Sequence, residues 1–240
     1  MLRLPGFPGL PGASRPGRLA AALVLLLLFA LVTWQVAVGG PLRSLDERIS
    51  RAVAGRGPRP VTELLADLGS LRIALPVLAA ALLYTAWRPH PAAPGDTAPH
   101  GDRRHGLPRG ERGYAILRAV LAIAAVPALV VPLKALLDRP GPLTEATGYY
   151  PSGHAATALV AFGAAALLLR PALPPAARAV AMPAAGLLTL ATGIGLVLRG
   201  YHWPLDVIGS WCLFGALLLL LFPPAGPPAD PPRPGDQLQR

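Results

Sequence analysis

The sequence has a single cysteine, Cys212, and it stands inside an apolar run. That excludes an intramolecular disulfide, a CxxC redox pair and a cysteine-based zinc site. Charge is scarce too: Asp, Glu, Lys and Arg make up 14% of the 240 residues, against 53% apolar side chains. Such a chain is ill suited to water, and a mean hydropathy of +0.48 argues that lipid is the solvent for much of it. Lysine is almost missing. Lys134 is the one example, so the net charge of +10 is carried by arginine. In a soluble protein that excess suggests a nucleic-acid partner. Here the arginines fall mostly in short connections between apolar runs, where they set topology and meet anionic headgroups, and no nucleic acid is expected.

What is present is a series of apolar runs, at 19–38, 71–87, 114–133, 154–169, 179–198 and 205–222. The first is free of charge for about 20 residues, the length with which a straight helix crosses the hydrocarbon core. Arg15 and Arg18 precede it, as in a signal peptide, but its apolar core is too long for one and it reads as an uncleaved anchor. The expected fold class is therefore all-α, a six-span transmembrane helical bundle. An even count puts both termini on one side, and the basic residues outside the spans favour the cytoplasm for that side.

The expected organisation is a cytoplasmic segment over 1–18, a membrane domain over 19–222 and a disordered Pro-rich tail over 223–240. The stretch 88–112, rich in Pro, Gly and His, reads as a mobile cytoplasmic loop, and its His90, His100 and His105 have no metal-ligand spacing. Leu45, Ile49 and Val53 recur at i, i+4 and i+8, with Asp46, Glu47, Arg48 and Arg51 elsewhere around the helix. That pattern predicts an interfacial amphipathic helix. Glu63, Asp67 and Arg72 read as interfacial pairing, and Pro127 and Pro183 are expected to kink their spans.

Three polar clusters stand at span ends, and because even numbers of spans separate them they share one face. Lys134, Asp138 and Arg139 follow the third span; Pro151-Ser152-Gly153-His154 opens the fourth; Arg199, His202 and Asp206 join the fifth to the sixth. Ser152 suits an N-cap, and the free N–H groups of a helix start attract a phosphate. Asp206, four residues from His202, can hold one imidazole nitrogen as N–H and leave the other as a nucleophile. His154 can deliver a proton to a leaving oxygen, while Lys134, Arg139 and Arg199 supply cationic donors to phosphate oxygens.

In these clusters the chain resembles the type 2 phosphatidic acid phosphatase family, the integral-membrane branch of the superfamily that includes the vanadium haloperoxidases. The family pattern is KxxxxxxRP, then PSGH, then SRxxxxxHxxxD, and the resemblance covers roughly residues 15–222. It implies that His202 is the nucleophile forming a phosphohistidine, that Asp206 orients it, and that His154 is the general acid. It implies phosphate binding by Lys134, Ser152 and Gly153. No metal or cofactor is implied. The substrate would be a lipid phosphate or diphosphate, of the phosphatidic acid or polyprenyl diphosphate type, presented among membrane lipids at the outer face.

The chain departs from the pattern at both arginines. Gly141 and Leu196 stand where the family has them, with Arg139 two residues earlier and Arg199 three residues later. Those two are the candidates to take over the phosphate. The alternative reading is a catalytically weak or inactive relative that binds lipid phosphate.

Overall fold

The computed structural model describes residues 15–88 and 109–223. Most of the loop, the tail and the first 14 residues, about which expectations were stated above, lie outside the described residues. Among the described residues all regular structure is helical: α1 (Arg15–Ala37), α2 (Pro41–Val53), α3 (Arg59–Asp67), α4 (Leu71–Trp87), α5 (Arg109–Leu137), α6 (Gly153–Leu169), α7 (Pro175–Leu198) and α8 (Pro204–Leu221), with one 3-10 turn at Arg170–Ala172. The first turn of α5 thus takes in residues 109–112, which the sequence assigned to the loop. Arg112 is tied there by donating to the Arg88 carbonyl at 2.7 Å.

Five of these helices are long and apolar enough to cross a membrane. The expected six is reached when α3 and α4, bent by 45° at their junction, count as one span. The bend has a local cause. Ser70 takes an extended conformation ahead of α4, and Gly69 is pressed against the His154 carbonyl so closely that a Cβ there would lie 2.6 Å from it. Pro127 and Pro183 lie within the continuous helices α5 and α7.

Helix α6 is the axis of the bundle, touching α4, α5, α7 and α8. Its buried face runs through Ala156, Val160, Phe162, Ala164 and Leu168, and most of the buried positions are alanine. Small residues suit that place, because in lipid the helices are held by close packing rather than by expulsion of water. Helix α1 packs along α8, and α3 along α7. Gly195 lets the second pair approach: a Cβ on it would strike the Ala66 nitrogen and Leu65. Leu196, beside it, is fully buried with Ala66, Ala155 and Val207.

Helix α2 lies after the first span, as its periodicity predicts. Its apolar residues Leu45 and Ile49 are exposed, whereas Asp46 and Ser50 are buried against the bundle. An interfacial helix with lipid on one side has its apolar stripe outward, so the polar stripe meets the protein.

A branched side chain at Gly195 is expected to separate α3 from α7. Gly195→Val should lower the unfolding temperature in detergent, with an overpacking cost of roughly 1–3 kcal/mol. Gly186→Ala, on an α7 face with nothing within 4 Å, should leave it unchanged or slightly higher.

Candidate active site

The end of α5, the start of α6, the end of α7 and the start of α8 meet at one end of the bundle. The start of α1 and the end of α8 lie at the other. Helix α7 stops in a turn set by Gly200, whose φ of +66° is the left-handed conformation that closes helices. The Tyr201 N–H donates to the Leu196 carbonyl at 2.9 Å and the Gly200 N–H to that of Val197 at 3.0 Å, which aims His202 back over the bundle. Helix α8 then begins at Pro204 in its first turn, a place where the missing N–H costs nothing. Asp206 sits one turn in, fully buried, and its Oδ2 accepts from the Trp203 N–H at 3.1 Å.

His202 Nδ1 lies 3.2 Å from the same oxygen. An ionised carboxylate only accepts, so the proton of a neutral ring belongs on Nδ1 and the lone pair on Nε2. Tyr149 packs its ring edge against the imidazole at a centroid distance of 5.6 Å. The starts of α6 and α8 are joined directly: Ser152 N–H donates to the Asp206 carbonyl at 3.0 Å, and Ser210 Oγ donates to the Ser152 carbonyl at 2.8 Å.

His154 and His202 open into one cavity of about 390 Å³, whose walls include Asp67, Tyr149, Leu196 and Tyr201. The structure therefore brings both histidines together with the carboxylate of Asp206 behind one of them. It treats the residues expected to hold phosphate less uniformly. Gly153 sits half-buried in the first turn of α6, where backbone N–H groups have no helical acceptor. Ser152 is fully buried, and its hydroxyl accepts from the Ala155 N–H at 3.3 Å as the N-cap. Its side chain caps the helix as an acceptor and is not among the cavity's walls.

The cations differ in the same way. Lys134 is half-buried near the end of α5, within electrostatic reach of Asp206 and His154, and has no ion-pair partner among the described residues. Arg199 stacks over Tyr201, with Cζ 5.4 Å from the ring centroid, and pairs with Glu63 on α3 at 3.2 Å. The same Glu63 oxygen also takes Arg59 at 3.0 Å.

Arg139 stands apart from the other cations. The α5 helix ends at Asp138, whose φ of 42° is left-handed, and the turn sends Arg139 inward, where it is 1% exposed. One terminal nitrogen donates to Asp206 Oδ1 at 2.6 Å and the other to Asp46 Oδ2 at 2.5 Å. The Trp203 ring covers its Cζ at 5.2 Å. Buried between two carboxylates, Arg139 is not among the residues that line the cavity of the two histidines.

Two acidic residues were missed by sequence reasoning. Asp67, read as interfacial, lines the cavity at the end of α3. Asp46, read as one of the charged residues around the interfacial amphipathic helix, is buried and accepts from both Arg139 and the Leu205 N–H, the latter at 2.8 Å. Burial raises its carboxyl above the usual value against the opposing pull of those donors. The signal available was its phase: Asp46 and Ser50 are i, i+4, along one edge of the Leu45–Ile49–Val53 stripe. Tyr150 is also buried, its phenol pushed up by burial and hydrogen-bonded to Thr33 at 2.8 Å.

With this geometry in view, the comparisons with known proteins are consistent. The profile of the PAP2 superfamily matches residues 115–225, which run from α5 through α8. No curated protein matches at a significant level. Among solved structures, the chain is similar to the first transmembrane PAP2 type phosphatidylglycerolphosphate phosphatase from Bacillus subtilis, with a TM-score of 0.66 and 22% identity over 84% of this chain and 94% of that one. That likeness extends the shared fold to the helices that precede the matched segment. The matched segment thus lies within a bundle of helices long and apolar enough to span a membrane, and over residues 115–225 the chain is similar to the PAP2 superfamily.

Proposed function

We propose that the protein is a membrane phosphatase that hydrolyses a lipid phosphate or diphosphate through a phosphohistidine on His202. The observation that carries this reading is that His202, backed by Asp206, shares a cavity with His154 at the open start of α6. The Nε2 lone pair attacks phosphorus while the bond from phosphorus to the leaving oxygen breaks, and His154 gives that oxygen its proton. Asp206 stabilises the positive charge that grows on the His202 ring. Water then attacks the phosphohistidine, His154 takes its proton, and inorganic phosphate leaves with both histidines restored.

The Gly153 and His154 backbone N–H groups at the start of α6 offer a site for the phosphate oxygens. Lys134 is the cation closest to readiness, and Arg199 joins it by exchanging Glu63 for phosphate. With the termini in the cytoplasm, the site faces outside and takes its lipid from the outer leaflet. The Bacillus subtilis protein acts on phosphatidylglycerolphosphate, which makes that lipid, with phosphatidic acid and undecaprenyl diphosphate, the panel to test. A second reading, a catalytically weak relative that binds lipid phosphate, is favoured by one observation: neither Arg139 nor Arg199 lines the cavity.

Phosphate release from that panel by purified protein is expected to disappear in His202→Ala, and to fall by roughly 10² to 10⁴ in His154→Ala. Wild-type release that survives His202→Ala would overturn the mechanism. Tight lipid-phosphate binding without release would establish the second reading.

If Arg199 is shared between Glu63 and the substrate, Glu63→Gln should lower KM several-fold with kcat little changed, and Arg199→Ala should raise KM. Equal KM values across wild type and both variants would remove Arg199 from the site.

A further inference from the structure

Arg139 leaves a question open, since it carries a full charge next to the nucleophile's partner yet does not face the cavity. Asp206 has two oxygens, and the structure divides them: Oδ1 takes Arg139, while Oδ2 takes His202 Nδ1 and the Trp203 N–H. Left alone with one carboxylate, a guanidinium favours the bidentate fork, engaging both oxygens. Here it is stretched across two carboxylates instead, because its other terminal nitrogen is drawn to Asp46. Asp46 is fixed in turn, since its second oxygen accepts from the Leu205 N–H in the first turn of α8.

We propose that Asp46 is a positioning residue for the His202–Asp206 pair, acting through Arg139, and this rests on the phosphatase reading given above. Asp46 does two things. It balances the guanidinium, so that Asp206 keeps negative charge to support the His202 ring as it becomes positive. It also holds Arg139 in the one-oxygen geometry that keeps Oδ2 for Nδ1. Both effects act when charge develops on His202, so they belong to the rate of the chemical step rather than to substrate binding. Asp46 lies on α2, ahead of residues 115–225, so the residue that tunes the nucleophile comes from outside the segment that carries it.

The test is the kinetics of Asp46→Asn on whichever lipid phosphate the wild type hydrolyses. Asparagine is isosteric but uncharged, and its one carbonyl oxygen can satisfy either Arg139 or Leu205, not both. The expected result is a kcat lower by roughly 10- to 100-fold, the range found when a residue supporting a reactive group is removed, with KM within about twofold. In Asp206→Asn the same Asp46→Asn change should cost little more, because its route to His202 is already cut. If Asp46→Asn does not fold, Asp46→Glu keeps the buried charge but sets the carboxylate one methylene further out, which displaces Arg139 from its one-oxygen geometry on Asp206; it should fold and lower kcat with KM within about twofold.

His202-dependent turnover that is unchanged in a folded Asp46→Asn, or in Asp46→Glu where only that variant folds, overturns this inference alone. A loss carried by KM, or an undiminished further loss in Asp206→Asn, assigns Asp46 to scaffolding and also overturns it. A wild type with no His202-dependent turnover removes the phosphatase reading and this inference with it.

Discussion

A guanidinium is placed at the rim of an apolar bundle only if fixed acceptors replace the water it gives up, and Arg139 meets that condition with a carboxylate on either side. Breaking such a buried pair by removing one partner costs about 3–5 kcal/mol, because the charge left behind has no solvent. The three elements that supply the group, α2, the end of α5 and the start of α8, are thereby held in one arrangement. The turn from Arg139 to Tyr149 is fastened to the same point: Trp203 Nε1 donates to the Pro140 carbonyl at 2.8 Å, and Tyr149 N–H to that of Arg139 at 3.0 Å. The position of His202 follows from this frame together with the turn at Gly200.

The spans were legible because a 20-residue run without charge has few other meanings in a protein. The 71–87, 154–169 and 205–222 runs reappear as α4, α6 and α8 within about a residue at most ends. The pairing of His202 with Asp206 was legible because both belong to one short stretch, and a spacing of four across a helix start puts carboxylate and imidazole on the same side. Local chemistry of this kind is written in the chain order.

The fates of Arg139 and Asp46 were not legible, and the reason is physical. Their contact spans 93 residues, and nothing within either segment tells a cation meant for substrate from one meant for a buried carboxylate. For Arg139 the deciding feature is the left-handed turn at Asp138, a conformation that a non-glycine sequence does not announce. For Ser152 the N-cap role was foreseen, but not its complete burial at the start of α6. The bend between α3 and α4, which brings Asp67 to the cavity, arises from backbone contact between Gly69 and the chain at His154, and periodicity carries no information on that.

The close fit of α3 against α7 has a consequence for how this architecture could be divided. Ala66 and Asp67 form one wall of the cavity, while the second carboxylate on Arg139 arrives from α2, and both elements precede residue 115, where the superfamily segment begins. That segment holds the reactive groups but is not an autonomous module. Exchanged between proteins by itself, it would arrive with an open side and with Arg139 holding one of its two carboxylates.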